Sequence, residues 1–114
     1  MNDKGRYAEQ CAAEYLQQQG LKIVERNWSC KQGELDLIAV DGATLVFVEV
    51  RMRQSSRFGG AAASITPAKQ AKLWASAQQY LQSIKSAPAC RFDAVCIDGT
   101  DGQTISWLKN CITA

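Results

Sequence analysis

The segment Gly33–Arg51, GELDLIAVDGATLVFVEVR, constrains the fold more than any other part of the chain. Two apolar runs flank Asp41-Gly42, a pair that favours a tight turn between antiparallel strands. The same segment sets Glu34, Asp36 and Glu49 inside those strands, where a carboxylate costs free energy unless a cation meets it. Side chains alternate across a strand, so Glu34, Asp36 and Ile38 are expected on one face. Phe47, Glu49 and Arg51 share a face of the next strand. A two-residue turn at Asp41-Gly42 pairs Asp36 with Phe47, and a four-residue loop pairs it with Glu49. Either register brings Asp36 to the side of Glu49, whereas a three-residue loop separates them.

The flanking sequence supplies a sheet and its helices. Asp3 caps a first helix to about Gln19, with Tyr7, Cys11, Tyr15 and Leu16 as its apolar stripe and Gly20 as its stop. LKIVERNWSC then reads as a strand. QSSRFGGAAASI is a small-residue loop carrying Arg57, and Thr66-Pro67 opens a second helix. In that helix Leu73, Ala77, Leu81 and Ile84, flanked by Trp74 and Tyr80, fit a helical period. CRFDAVCID is a fourth strand, GTDG a turn and QTISWLKN a short last strand. The expected fold is α/β in the order α-β-β-β-α-β-β, a central mixed sheet flanked by helices, with residues 1–114 as a single domain. Trp28, Trp74 and Trp107 are expected in the core or an interface.

Composition removes several chemistries. Histidine is absent, which excludes Ser-His-Asp and Cys-His relays, a His-ligated zinc and a histidine general base. The five cysteines are an odd number without a C-x-x-C pair, so they read as small reduced hydrophobes rather than as a zinc site or a disulfide framework. The opening MNDKGRYAEQ is polar and charged, unlike a secretory leader, and no apolar run approaches the ~18 residues of a membrane span. A cytoplasmic location without membrane association is expected. Net charge is only +2, so clustering of the basic residues decides whether they meet nucleic acid. Arg51, Arg53 and Arg57 fall close together, and Lys69 and Lys72 follow the loop. Such a strip suits phosphate contacts that read backbone rather than base sequence.

Asp36 and Glu49 side by side repel each other unless a cation intervenes. Hard oxygen ligands supplemented by water suit Mg²⁺ or Mn²⁺. Arg51 points to the same side and is placed to hold a phosphate oxygen or a water. An acid pair, a divalent ion and a basic group form a minimal kit for phosphodiester hydrolysis. The plainer alternative is a cross-strand ion pair on a solvated face.

Asp36 in GELDLIA, a hairpin and VFVEVR together resemble the Asp…Glu-x-Lys signature of the PD-(D/E)XK, or restriction-endonuclease-like, superfamily. More narrowly, GRYAEQCAAEYL, RNW…GELDLIAVDG, LVFVEVRMR, FGGAAASITPAKQAKL and CRFDAV resemble the YraN-like family of small bacterial proteins, related to Holliday junction resolvases. The resemblance implies a metal-dependent endonuclease acting on DNA, with branched or structured DNA as substrate. It implies metal ligation by Asp36, Glu49 and the carbonyl of Val50, and matches Glu9 to an acidic position that reaches the same metal. Gln70 aligns with a polar residue that completes the site in some relatives, with Lys69 and Lys72 beside it to touch phosphates. Glu34 belongs to the family block, as a metal ligand, a support to the site or a structural salt bridge. The last motif residue is usually Lys, and here it is Arg51, which cannot act as a general base. Two alternatives follow: a nuclease-derived nucleic-acid-binding module without turnover, or an interaction scaffold that forms a homodimer through Trp107 and the terminal strand.

Overall fold

The computed structural model describes residues 3–53, 65–98 and 104–112. Its elements are α1 (Asp3–Gln18), β1 (Lys22–Cys30), β2 (Gly33–Asp41), β3 (Thr44–Arg53), α2 (Pro67–Ile84), β4 (Cys90–Asp98) and β5 (Thr104–Leu108). They form one five-stranded sheet in the order β1-β2-β3-β4-β5. All neighbours are antiparallel except β3 and β4, which run parallel because α2 carries the chain back between them. The expected α/β order is the one observed.

Alternation along the central strands sorts the core into two layers. Leu37, Ala39, Val46, Val48, Val95 and Ile97 pack with Ala8, Ala12, Ala13 and Leu16 of α1. Ile38, Leu45, Phe47 and Phe92 pack on the other face with Leu73, Ala77 and Tyr80 of α2. The face α1 buries includes Cys11, Tyr15 and Leu16 of the expected stripe, while Tyr7 stands largely outside it. Tyr7 is 51% exposed, and Ala8, Ala12 and Ala13 join the contact, their small side chains letting the helix lie close to the sheet. Ile84 likewise ends exposed, one turn beyond the part of α2 that covers the sheet, while Ser76 is buried. Thr66 caps α2 as expected, accepting a hydrogen bond from the Lys69 amide at 3.2 Å, and Pro67 is its first residue. Gly33 opens β2 where a Cβ would lie 3.2 Å from Ser76 Oγ, so the strand approaches α2 closely.

The β2–β3 hairpin takes the register that aligns Asp36 with Glu49, but with a tighter turn than a four-residue loop. Asp41 pairs with Thr44 and Leu37 with Val48, leaving Gly42 and Ala43 as the turn. Gly42 has φ 61°. Positive φ at the first central residue is the pattern of a type II′ turn, which matches the strand twist. Asp41 is thus the last paired strand residue rather than part of the turn.

Each tryptophan packs edge-on against another ring: Trp28 on Tyr80 at 5.3 Å, Trp74 on Phe92 at 4.8 Å and Trp107 on Tyr15 at 6.2 Å. None of the five cysteines forms a disulfide. No helix among the described residues is long and apolar enough to cross a membrane.

Candidate functional site

The acidic residues gather where β2 parts from β3 and the alternation of the sheet is broken. In β1, Arg26 reaches Gln10 of α1, whereas Trp28, two residues on, packs against Tyr80 of α2. In β2, Leu37 lies in the α1 layer and Leu35 in the α2 layer. Residues two apart normally share a face. Here they do not, in either strand, and the pairs Arg26–Leu37 and Trp28–Leu35 leave Asn27 opposite Asp36 at the point of reversal. Asn27 has φ 53°, the left-handed region that Asn tolerates better than most residues. The expectation that Glu34, Asp36 and Ile38 share one face therefore fails: the reversal falls between Glu34 and Ile38.

Asp36 sits at the junction. β2–β3 pairing ends at Leu37 and Val48, and beyond it Asp36 Oδ2 accepts the Val50 amide at 2.9 Å. The carboxylate thus serves the N–H that a β2 carbonyl would otherwise have met. Asp36 also hydrogen-bonds Glu49. Burial first, then the bond to Glu49 and its charge, raise the Asp36 pKa from 3.8 to about 8, against the Val50 amide and Lys69, which favour the ionised form.

Glu49 is 2% exposed, so the solvated ion pair does not hold. Its Oε2 meets Arg51 Nη2 at 2.9 Å and Lys69 Nζ at 3.6 Å. Arg51 therefore shares the face of Glu49, as alternation predicts. Its Nε is buried and without a partner. Glu9 of α1 and Glu34 form a further group with Asp36, in which one oxygen from each carboxylate lies within 4.8 Å of the others. Burial and then the charge of Asp36 raise the Glu9 pKa, while a hydrogen bond from Asn27 favours its ionised form.

The donor set fits a hard divalent ion. It is all oxygen, with neither histidine nor thiolate, and its carboxyls sit close enough to suffer mutual repulsion that a cation relieves.

Residues 8–97 match the Uncharacterised protein family UPF0102. The chain belongs to this family. It is 55% identical over 108 residues to a UPF0102 protein of Nitrosomonas europaea, covering 95% of this chain and 92% of the relative. A UPF0102 protein of Herminiimonas arsenicoxydans is 54% identical over 108 residues, 95% of this chain and 85% of the relative. One from Psychromonas ingrahamii is 48% identical over 109 residues, 96% of this chain and 88% of its own length. The stretch matched to UPF0102 contains every carboxylate of the site together with Arg51 and Lys69. The UPF0102 layout seen here agrees with the restriction-endonuclease-like order that the resemblance implies.

The remaining expected site residues of this UPF0102 chain divide into groups. Lys69 is drawn into the site by Glu49. The Gln70 amide donates to the Ile65 carbonyl at 3.2 Å and so braces the entry to α2. Lys72 is exposed on the same helix. Arg53 is placed only as the last residue of β3, and Arg57 with the loop around it lies outside the described residues. Trp107 turns inward: its Nε1 donates to Asp93 Oδ2 at 2.9 Å. Glu34, which the sequence offers beside Asp36, is a member of the cluster.

Proposed function

We propose that this chain is a divalent-metal-dependent endonuclease-like protein that hydrolyses phosphodiesters in DNA, with branched or structured DNA as its substrate. The observation that carries this reading is the buried Asp36–Glu49 carboxyl pair, flanked by two acidic and two basic side chains. Asp36 and Glu49 would hold Mg²⁺ or Mn²⁺, with Glu9 and Glu34 beside Asp36 and the Val50 carbonyl as a further oxygen. When bound, the ion supplies Lewis-acid stabilisation of phosphate charge and activation of water.

The chain's own groups orient the rest. The Val50 amide fixes Asp36, and Arg51 with Lys69 fixes Glu49. Arg51 stays protonated, so it orients water or binds the phosphate through the part of its side chain that remains exposed. Lys69 is half-exposed and reaches from the site towards the surface, where Lys72 adds charge for the DNA backbone.

Arg51 also favours a second reading. A motif arginine that already neutralises Glu49 at 2.9 Å suits a nuclease-derived module that binds nucleic acid without cutting it. Purified protein tested with Mg²⁺ and Mn²⁺ on linear, flapped and four-way DNA separates the two, with E49A as control. Cleavage lost in E49A supports the enzyme. Salt-sensitive DNA binding without cleavage supports the module, and absence of DNA affinity at low salt overturns both and leaves an interaction scaffold.

A further inference from the structure

The one non-glycine residue with positive φ inside a described strand is Asn27, and it lies opposite Asp36. A left-handed residue in a strand costs of order 1–3 kcal/mol and persists where its surroundings require it. Its consequence is visible in both strands: Arg26 and Leu37 face α1, while Trp28 and Leu35 face α2. Without that reversal, Glu34 and Asp36 would share a face, and Glu34 would lie on the side of the sheet away from α1. With it, Glu34, Asp36 and Glu9 of α1 each bring one carboxylate oxygen within 4.8 Å of the others.

The same two residues of β1 fasten the helix that carries Glu9. Arg26 Nη1 donates to Gln10 Oε1 at 2.7 Å, and the neighbouring Asn27 side chain hydrogen-bonds Glu9. Arg26 and Asn27 thus grip Gln10 and Glu9, adding polar ties to the apolar contact of α1. Neither the Asp…Glu-x-Lys pattern nor a phosphate-contact strip includes this position.

We propose that Asn27 is a positioning residue for the cation site: its left-handed backbone turns Glu34 towards α1, and its amide aims Glu9 at Asp36. The assignment rests on the metal reading of this carboxylate group. It predicts that the two contributions separate on substitution. N27G keeps the positive φ and removes the amide, whereas N27A removes the amide and also strains the backbone.

The test is calorimetric Mn²⁺ titration, with thermal unfolding in chelator, of wild type, N27G, N27A and D36N. N27G should unfold within a few degrees of wild type yet bind Mn²⁺ about 10–100-fold more weakly, the usual cost of losing a hydrogen-bond partner of a ligand. N27A should show the weaker binding together with a lower midpoint. Wild-type Mn²⁺ affinity in N27G, with binding abolished in D36N, overturns the role of Asn27 and leaves the metal reading standing. Absence of Mn²⁺ binding to the wild type overturns the metal reading, and this assignment with it.

Discussion

Asp36 carries the largest electrostatic conflict at the site, and its consequence can be read from pH. Its carboxyl goes from 3.8 to about 8, chiefly through burial and the nearness of Glu49. The native protein then holds a proton that the unfolded chain releases, so stability is fully present below about pH 4 and falls as pH rises towards 8. Asn at this position cannot ionise. In chelator D36N should therefore match wild type only below about pH 4, where both states hold the proton, and exceed its unfolding midpoint by about 4–8 °C or more near pH 8, since each kcal/mol is worth about that much in a small domain. Mn²⁺ should stabilise wild type at the higher pH and leave D36N unmoved. A pH-independent gap between the two proteins would show that Asp36 is not the group in conflict. This residue and Glu49 were legible in the sequence, because a carboxylate in an apolar strand stands out. Glu34 stood out as well, but where it would lie did not. Its place depends on a backbone reversal at Asn27, and nothing short of the fold distinguishes that Asn from any other polar residue in an edge strand.

Among the elements, the order of helices and strands follows from local signals: Thr66-Pro67 starts α2, Gly20 follows α1 at φ 99° and Asp41-Gly42 marks the hairpin. The buried faces are less legible, because Ala8, Ala12 and Ala13 become core only once the sheet is there to receive them. The least legible feature is Asp93, which reads as one polar position in an alternating strand but has no exposed surface. Arg91 Nε donates to its two oxygens at 3.0 and 3.2 Å, Trp107 Nε1 at 2.9 Å and the Asn110 amide at 2.9 Å. Arg91 also reaches Asp41 at 3.0 Å. One carboxylate thus ties β4 to β5 and the following turn, and through Arg91 to the end of β2. D93N keeps the shape but leaves Arg91 with Asp41 as its acidic partner, and loss of a buried ionic partner costs about 3–5 kcal/mol. Arg91 is partly solvated, so urea denaturation of D93N should show a loss of about 3 kcal/mol, the low end of that range. A loss below about 1 kcal/mol, the net worth of one ordinary hydrogen bond, would mean that Asp93 does not hold these elements together.

At the scale of the whole molecule, the site joins both layers. Glu9 comes from the helix on one face, Lys69 from the helix on the other, and Asp36 with Glu49 lies between them where the sheet opens. On the proposed function, the net charge of +2 offers DNA only a weak general attraction, and a phosphate brought to the metal ligands meets their carboxylates. Divalent cations should therefore govern binding as well as any chemistry. At fixed ionic strength, Ca²⁺, a hard ion of the same charge, should tighten DNA binding relative to chelator, because it adds two positive charges at the point of contact. E34Q supplies the complementary test without a metal. Removing one negative charge about 8 Å from a phosphate in water is worth roughly 0.5 kcal/mol, so metal-free DNA affinity should rise about two- to threefold. The gain should shrink as salt is raised, since the interaction is solvent-screened. Fluorescence anisotropy with a labelled four-way junction measures both effects. If Ca²⁺ leaves the affinity unchanged and E34Q binds like wild type, the phosphate backbone does not pass over this acidic group, and any DNA contact lies elsewhere on the molecule.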